Sequence, residues 1–141
     1  LPVIQEVWSS PEKVPEVYQP LAERMFGAHA FVLVSPEYNG GYSPALKNFL
    51  DHFPKQARKP FGICTSSDGA MGGIRASQQL LQLVPALFGI ASPRMLSVPA
   101  MDKKFAEDGR LVEEPFGKSI HDFTQEFLWL AEAIHGTGRP A

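Results

Sequence analysis

Two short apolar runs constrain this chain more than any other feature. Ala30-Phe-Val-Leu-Val34 and Pro60-Phe-Gly-Ile-Cys-Thr65 are continuous rather than alternating, and rich in β-branched and aromatic residues. A strand with one wet face alternates apolar and polar residues. A continuous run suits a strand covered on both faces, as in a parallel sheet flanked by helices. Each run leads into a loop of small residues and then into a helical pattern. After the first comes Pro36 to Ser43, then Pro44 as a first helical residue and a helix from Ala45 to about Phe53 with Leu46, Phe49, Leu50 and Phe53 on one face. After the second comes Ser66 to Gly73, then a helix from Ile74 to about Phe88 with Ile74, Leu81, Val84 and Phe88 as its stripe and Pro85 as a kink.

The remaining segments extend the same alternation. Residues 1–15 hold Pro2, Pro11 and Pro15 and read as an extended arm. Val17, Tyr18, Leu21 and Met25 place a helix over Glu16 to Gly27, and Met95 to Val98 reads as a third strand. Asp102 to Pro115 is a charged excursion with a turn at Asp108-Gly109. A last helix runs from about Phe116 to His135 with Ile120, Phe123, Phe127, Leu130 and Ile134 inward, and Gly136 begins a tail. Helices alternating with strands give an α/β fold with a parallel sheet and helices on both faces.

Such a sheet needs apolar material, and 44% of the 141 residues supply it, enough for a single domain spanning the chain. The 13 basic and 15 acidic side chains leave a net charge of −2 with no basic stripe, which argues against nucleic acid as a partner. No apolar run approaches the roughly 18 residues of a membrane-spanning helix. The single cysteine, Cys64, precludes an internal disulfide and a cysteine-based metal site, and reads as an inert core thiol. His29, His52, His121 and His135 have no metal-ligand spacing. These features point to a cytoplasmic protein with no metal.

Ligands of open α/β sheets bind beyond the carboxyl ends of the strands. Both small-residue loops lie there and lead straight into helices, so main-chain N–H groups converge on one place. Glycines let backbone approach a flat ligand closely. The pattern fits a heteroaromatic ring read by main-chain hydrogen bonds, and it fits equally a pair of tight strand-to-helix turns. Asp68 is placed to cap the loop or the helix after it. Lys47 and Asp51 form an i,i+4 pair, and His52 suits a helix end. Tyr42 suits either an entrance or an oligomer contact, and Arg75 either a dinucleotide phosphate or plain solvent.

The first loop and its helix, Ser35-Pro-Glu-Tyr-Asn-Gly-Gly-Tyr-Ser-Pro-Ala-Leu-Lys-Asn-Phe-Leu-Asp51, closely resemble the signature of the NADPH-dependent FMN reductase family, which is flavodoxin-like and includes quinone, azo-dye and chromate reductases. The match falls on Pro36, Glu37, Tyr38, Asn39, Leu46, Lys47, Asn48 and Asp51. The second loop, with Gly69, Gly72 and Gly73, and the turn Asp108-Gly-Arg-Leu111 resemble later family features.

The resemblance implies FMN as cofactor, NADPH or NADH as co-substrate, and hydride transfer to a quinone-like or other small acceptor. It implies that Pro36, Glu37, Tyr38, Asn39 and Gly40 hold the polar edge of the flavin ring, with Tyr38 as a wall and the Asn39 amide as an added donor. Ser66, Ser67, Asp68 and Gly69 would approach from the other side, with Gly72 and Gly73 leaving space. No side chain need act as a nucleophile, since the hydride chemistry is the cofactor's. Homodimers or homotetramers are also implied. The family opens with a strand, a phosphate-binding loop, a helix and a second strand. The resemblance begins after that unit of about 30 residues or more, so it implies a chain lacking the first strand-helix-strand unit, with Ala30 to Val34 as an open edge. The alternative is a flavin-free remnant of the fold that binds a partner.

Overall fold

The apolar run from Ala30 and the run from Pro60 lie side by side. Their parallel register runs from Phe31 opposite Phe61 to Pro36 opposite Ser66 in the computed structural model, which describes residues 1–4 and 6–136. Short 3-10 turns at Pro11–Lys13 and Glu16–Tyr18 precede α1 (Gln19–Gly27), β1 (Phe31–Tyr38), β2 (Gly41–Tyr42), α2 (Pro44–Asp51), β3 (Pro60–Ser66) and α3 (Ile74–Ala86). There follow β4 (Ile90–Ala91), β5 (Leu96–Val98), α4 (Met101–Lys104), a third 3-10 turn at Glu114–Phe116, and α5 (Gly117–Gly136). The tail expected after Gly136 lies outside the described residues.

β1 and β3 form the parallel centre. β4 and β5 both pair with the other side of β3, opposite Pro60–Phe61 and Cys64–Ser66, as one outer strand interrupted at Ser92–Met95. β2 adds an antiparallel pair at the end of β1, and no other strand pairs with the outer side of β1 among the described residues.

The alternation of β3 explains the two layers. Phe61 and Ile63 point into the main core with Leu33 of β1, Met25 of α1, Leu50 of α2, and Leu80 and Val84 of α3. Cys64 points the other way, toward Leu96, Val98 and Phe123 of α5. A Cβ on Gly62 would sit 3.0 Å from the Phe123 ring and 3.1 Å from that of Phe127, so a glycine lets α5 lie close on β3. Helices therefore cover both faces, in the flavodoxin-like manner.

Coverage is incomplete over β1. The run from Ala30 was expected to be buried on both faces, yet Val32 is 43% and Val34 66% exposed, while Leu33 is buried. The reason is that α5 packs on β3 and β5 and leaves that face of β1 uncovered.

The expected stripe of α2 packs on the core, Pro44 occupies its first turn, and Lys47 pairs with Asp51. Ser43 Oγ caps it by accepting the Leu46 N–H at 3.2 Å. The stripe of α3 departs from expectation. The helix stops at Ala86, Leu87 enters the core, and Phe88 takes a φ of +60° that turns its ring out to solvent. The buried positions are Ala76, Ser77, Leu80 and Val84.

The arm holds the largest surprise. Trp8 is only 4% exposed and sits among Tyr18, His52 and Phe53, with ring centroids 5.5, 4.4 and 5.7 Å away. The Trp8 backbone N–H donates to the His52 carbonyl at 2.7 Å. Asn48 fastens the arm further: its Oδ1 accepts the Ile4 N–H at 2.9 Å and its Nδ2 donates to the Pro2 carbonyl at 2.8 Å.

Candidate functional site

The segment expected as a loop from Pro36 to Ser43 is instead a β-hairpin. β1 continues through Tyr38, and Tyr38 and Glu37 pair with Gly41 and Tyr42 of β2. Asn39 and Gly40 form the turn with φ of +50° and +81°. Two consecutive left-handed residues make the tight turn whose twist matches a hairpin, and Asn-Gly is the dipeptide best suited to it. Pro36 does not end the strand, because an edge strand tolerates proline. Buried Ser35 ties the base of the hairpin, its Oγ accepting the Ser43 N–H at 2.8 Å and donating to the Pro36 carbonyl at 2.9 Å.

The loop after β3 is held from within and from β5. Thr65 Oγ1 donates to the Gly72 carbonyl at 2.9 Å, and Ser67 Oγ donates to the Gly69 carbonyl at 3.2 Å. The Ser67 N–H reaches the Val98 carbonyl at 3.1 Å, and the Ala100 N–H reaches the Gly69 carbonyl at 3.1 Å. Gly72 and Gly73 are buried with φ of +59° and +81°. A Cβ on Gly72 would lie 2.8 Å from the Pro99 nitrogen, and one on Gly73 would lie 2.8 Å from Thr65 Cβ. The space these glycines leave is thus filled by the protein's own chain. Ser66 and Ser67 are half-buried, whereas Asp68, Gly69 and Ala70 are exposed.

Asp68 was expected to cap the loop or the helix that follows. The cap of α3 comes instead from the hairpin. Glu37 Oε2 accepts the N–H of Arg75 at 3.1 Å and of Ala76 at 3.3 Å. A carboxylate on the first-turn amides satisfies donors that have no partner inside the helix and meets the positive end of its dipole. Arg75 Nη1 lies 3.8 Å from Glu37 Oε1, and Gln79 Nε2 donates to the Gly40 carbonyl at 3.0 Å. These links bring the two expected loops to one end of the sheet and join them. The sequence carried no local signal for them, since Glu37 and Arg75, and Gly40 and Gln79, are separated by 38 and 39 residues.

Removing the Glu37 carboxylate tests that join. Glu37→Ala is expected to lower stability by about 1 kcal/mol or somewhat more, as loss of a helix cap does. Glu37→Gln, whose amide oxygen still accepts from an N–H, loses less. Urea midpoints of the two variants against the parent give the comparison.

The surface here presents the Asn39 amide, the half-buried Ser66 and Ser67 hydroxyls, the exposed Asp68 side chain and backbone groups, with Tyr38 59% exposed beside them. This donor set suits a planar heterocycle with alternating donors and acceptors. Tyr42 packs against the main core, where burial pushes its hydroxyl up from the ordinary value while Lys47 opposes that shift. Cys64 is half-buried between β5 and α5, and burial likewise pushes its thiol up. His52 is buried at the end of α2, with Nδ1 2.7 Å from the Asn48 carbonyl. Among the described residues, no three His, Cys, Asp or Glu side chains are grouped for a metal ion, and no helix is long and apolar enough to cross a membrane.

Residues 1–102 match the family model described as NADPH-dependent FMN reductase. The chain is 37% identical over 117 residues to an FMN-dependent NADPH-azoreductase of Staphylococcus saprophyticus, covering 78% of this chain and 60% of that protein. It is 34% identical over 103 residues to the protein of the same description from Staphylococcus aureus, covering 70% of this chain and 53% of that one. The chain thus spans a little over half the length of these curated relatives. Among solved structures it resembles FerB, a flavoenzyme NAD(P)H:(acceptor) oxidoreductase from Paracoccus denitrificans, with a TM-score of 0.74. That likeness has 22% identity, covers 94% of this chain and 76% of the other, and establishes a shared fold.

Proposed function

Because the chain belongs to the NADPH-dependent FMN reductase family, we propose that it contributes the flavin-ring site of an NAD(P)H-dependent FMN oxidoreductase acting on a small acceptor, a quinone-like or azo compound. Bound FMN would supply hydride acceptance from the nicotinamide and delivery to the acceptor. The chain's own residues would bind and orient the ring. In this reading the backbone of Pro36, Glu37, Tyr38, Asn39 and Gly40 meets its polar edge, with the Asn39 amide as a further donor and Tyr38 as a wall. Ser66, Ser67, Asp68 and Gly69 meet it from the other side, and Gly72 and Gly73 hold that loop in shape. N–H groups fixed near the ring would favour the negative charge that reduction brings.

The observation that carries this reading is the bracing of the Asn39-Gly40 turn against the first turns of α3 by Glu37 and Gln79. A ring read by main-chain groups needs those groups held still, because a mobile donor contributes little to binding. The test is titration of the protein with FMN, followed by NADPH or NADH without air. The expected result is quenching of flavin fluorescence on binding, then bleaching of the visible flavin bands. A protein that neither takes up FMN nor supports its reduction would overturn the reading in favour of a flavin-free binding module.

A further inference from the structure

We propose that Arg75 is the specificity-determining residue at this site, and that it takes an oxyanion substituent, phosphate or sulfonate, of a molecule entering beside the hairpin. This rests on the function proposed above. Arg75 is the only cationic side chain in residues 36–43 and 66–75, the two segments that meet there. Its side chain is 76% exposed, and its Cδ passes 3.4 Å from where a Cβ of Gly40 would stand, so it lies across the turn. The helix end itself is not the anion site, because Glu37 already occupies the Arg75 and Ala76 amides. Nor does Glu37 consume the guanidinium. At 3.8 Å the contact orients the Arg75 head without forming a hydrogen bond, and among the described residues that head donates none. A planar fork of N–H donors is therefore left available beside the hairpin, where the acidic groups of the two segments are Glu37, tied to the α3 amides, and Asp68, exposed in the loop after β3. Such a fork matches phosphate and sulfonate geometry with two parallel hydrogen bonds.

Two kinds of incoming molecule carry the required group. NADPH differs from NADH by one ribose phosphate, and azo compounds exist in sulfonated and neutral forms. Calorimetric affinities for NADP+ and NAD+, and for a matched sulfonated and neutral azo dye, separate them. They are measured on the parent, Arg75→Ala and Arg75→Lys. The preference for the member bearing the added phosphate or sulfonate in one pair is expected to fall about tenfold or more in Arg75→Ala, as loss of a charge-assisted contact does. Arg75→Lys, which keeps the charge and loses the fork, should recover part of it. A fall in the nucleotide pair assigns the phosphate of the reductant, and a fall in the dye pair assigns the sulfonate of the acceptor. Unchanged preference in both pairs, or equal weakening of both members of a pair, overturns the proposal. FMN titration of the parent reports separately on the flavin reading, so failure of one is distinguishable from failure of the other.

Discussion

Gly73→Ala is expected to be among the most damaging single-methyl changes in the molecule. Two costs combine. The φ of +81° is a conformation an L-residue enters at about 1–2 kcal/mol. The new Cβ would stand 2.8 Å from Thr65 Cβ and 3.1 Å from both the nitrogen and the oxygen of Ser66. Those neighbours are the end of β3 itself, not the tip of a flexible side chain, so relief requires moving backbone, and overpacking of that kind costs about 1–3 kcal/mol more. A total of about 2–5 kcal/mol corresponds to a fall in Tm of about 10 °C for a chain of this size. Gly109→Ala is the control. Its φ is +82° but nothing lies within 4 Å of the added methyl, so it should show the strain alone. Thermal melts of both variants would separate the two costs. Equal shifts for Gly73→Ala and Gly109→Ala would show that the close approach to β3 does not matter.

The other large effect lies in the N-terminal arm. Trp8→Ala is expected to lower stability by about 3–5 kcal/mol, the range for deleting a buried aromatic. Trp8 is 4% exposed and its indole meets three other rings, two from the residues just after α2 and one from the turn before α1. Its loss would leave a void lined by Tyr18, His52 and Phe53 and release the arm that Asn48 holds. Urea unfolding of Trp8→Ala and of Trp8→Phe distinguishes packing from mere aromaticity, with the phenylalanine variant retaining a substantial part. A midpoint for Trp8→Ala within error of the parent would mean that the arm is not part of the cooperative core.

Trp8 also shows why part of this fold was not legible in the sequence. An isolated aromatic among prolines has no period to reveal a face, and two of its ring partners lie more than 40 residues away at His52 and Phe53. The long elements were legible because their apolar spacing is local. Leu46, Phe49 and Leu50 of α2, Phe53 just after it, and Ile120 and Phe123 of α5 pack as their periodicity dictates. The short elements were not. β4 has two residues and α4 has four, too few for any repeat to register. Both candidate segments were legible as lying at strand ends, but the hairpin was not: Pro36 looked like a stop, although Asn39-Gly40 is itself a strong hairpin signal. Phe88 misled for a related reason. Its spacing continues the α3 stripe, but the helix has already ended, and a left-handed residue sends the ring outward.

The carboxylate that reaches from the hairpin to α3 turns two backbone amides into reporters. First-turn N–H groups of a helix ordinarily have no partner and exchange with solvent quickly. Those of Arg75 and Ala76 are bonded to Glu37, a residue of β1. Their exchange rates therefore measure how often the hairpin lifts away, not how often the helix frays. Slower exchange at those two amides on adding a ligand would be a direct sign that it closes the turn against the helix, readable without any change in absorbance.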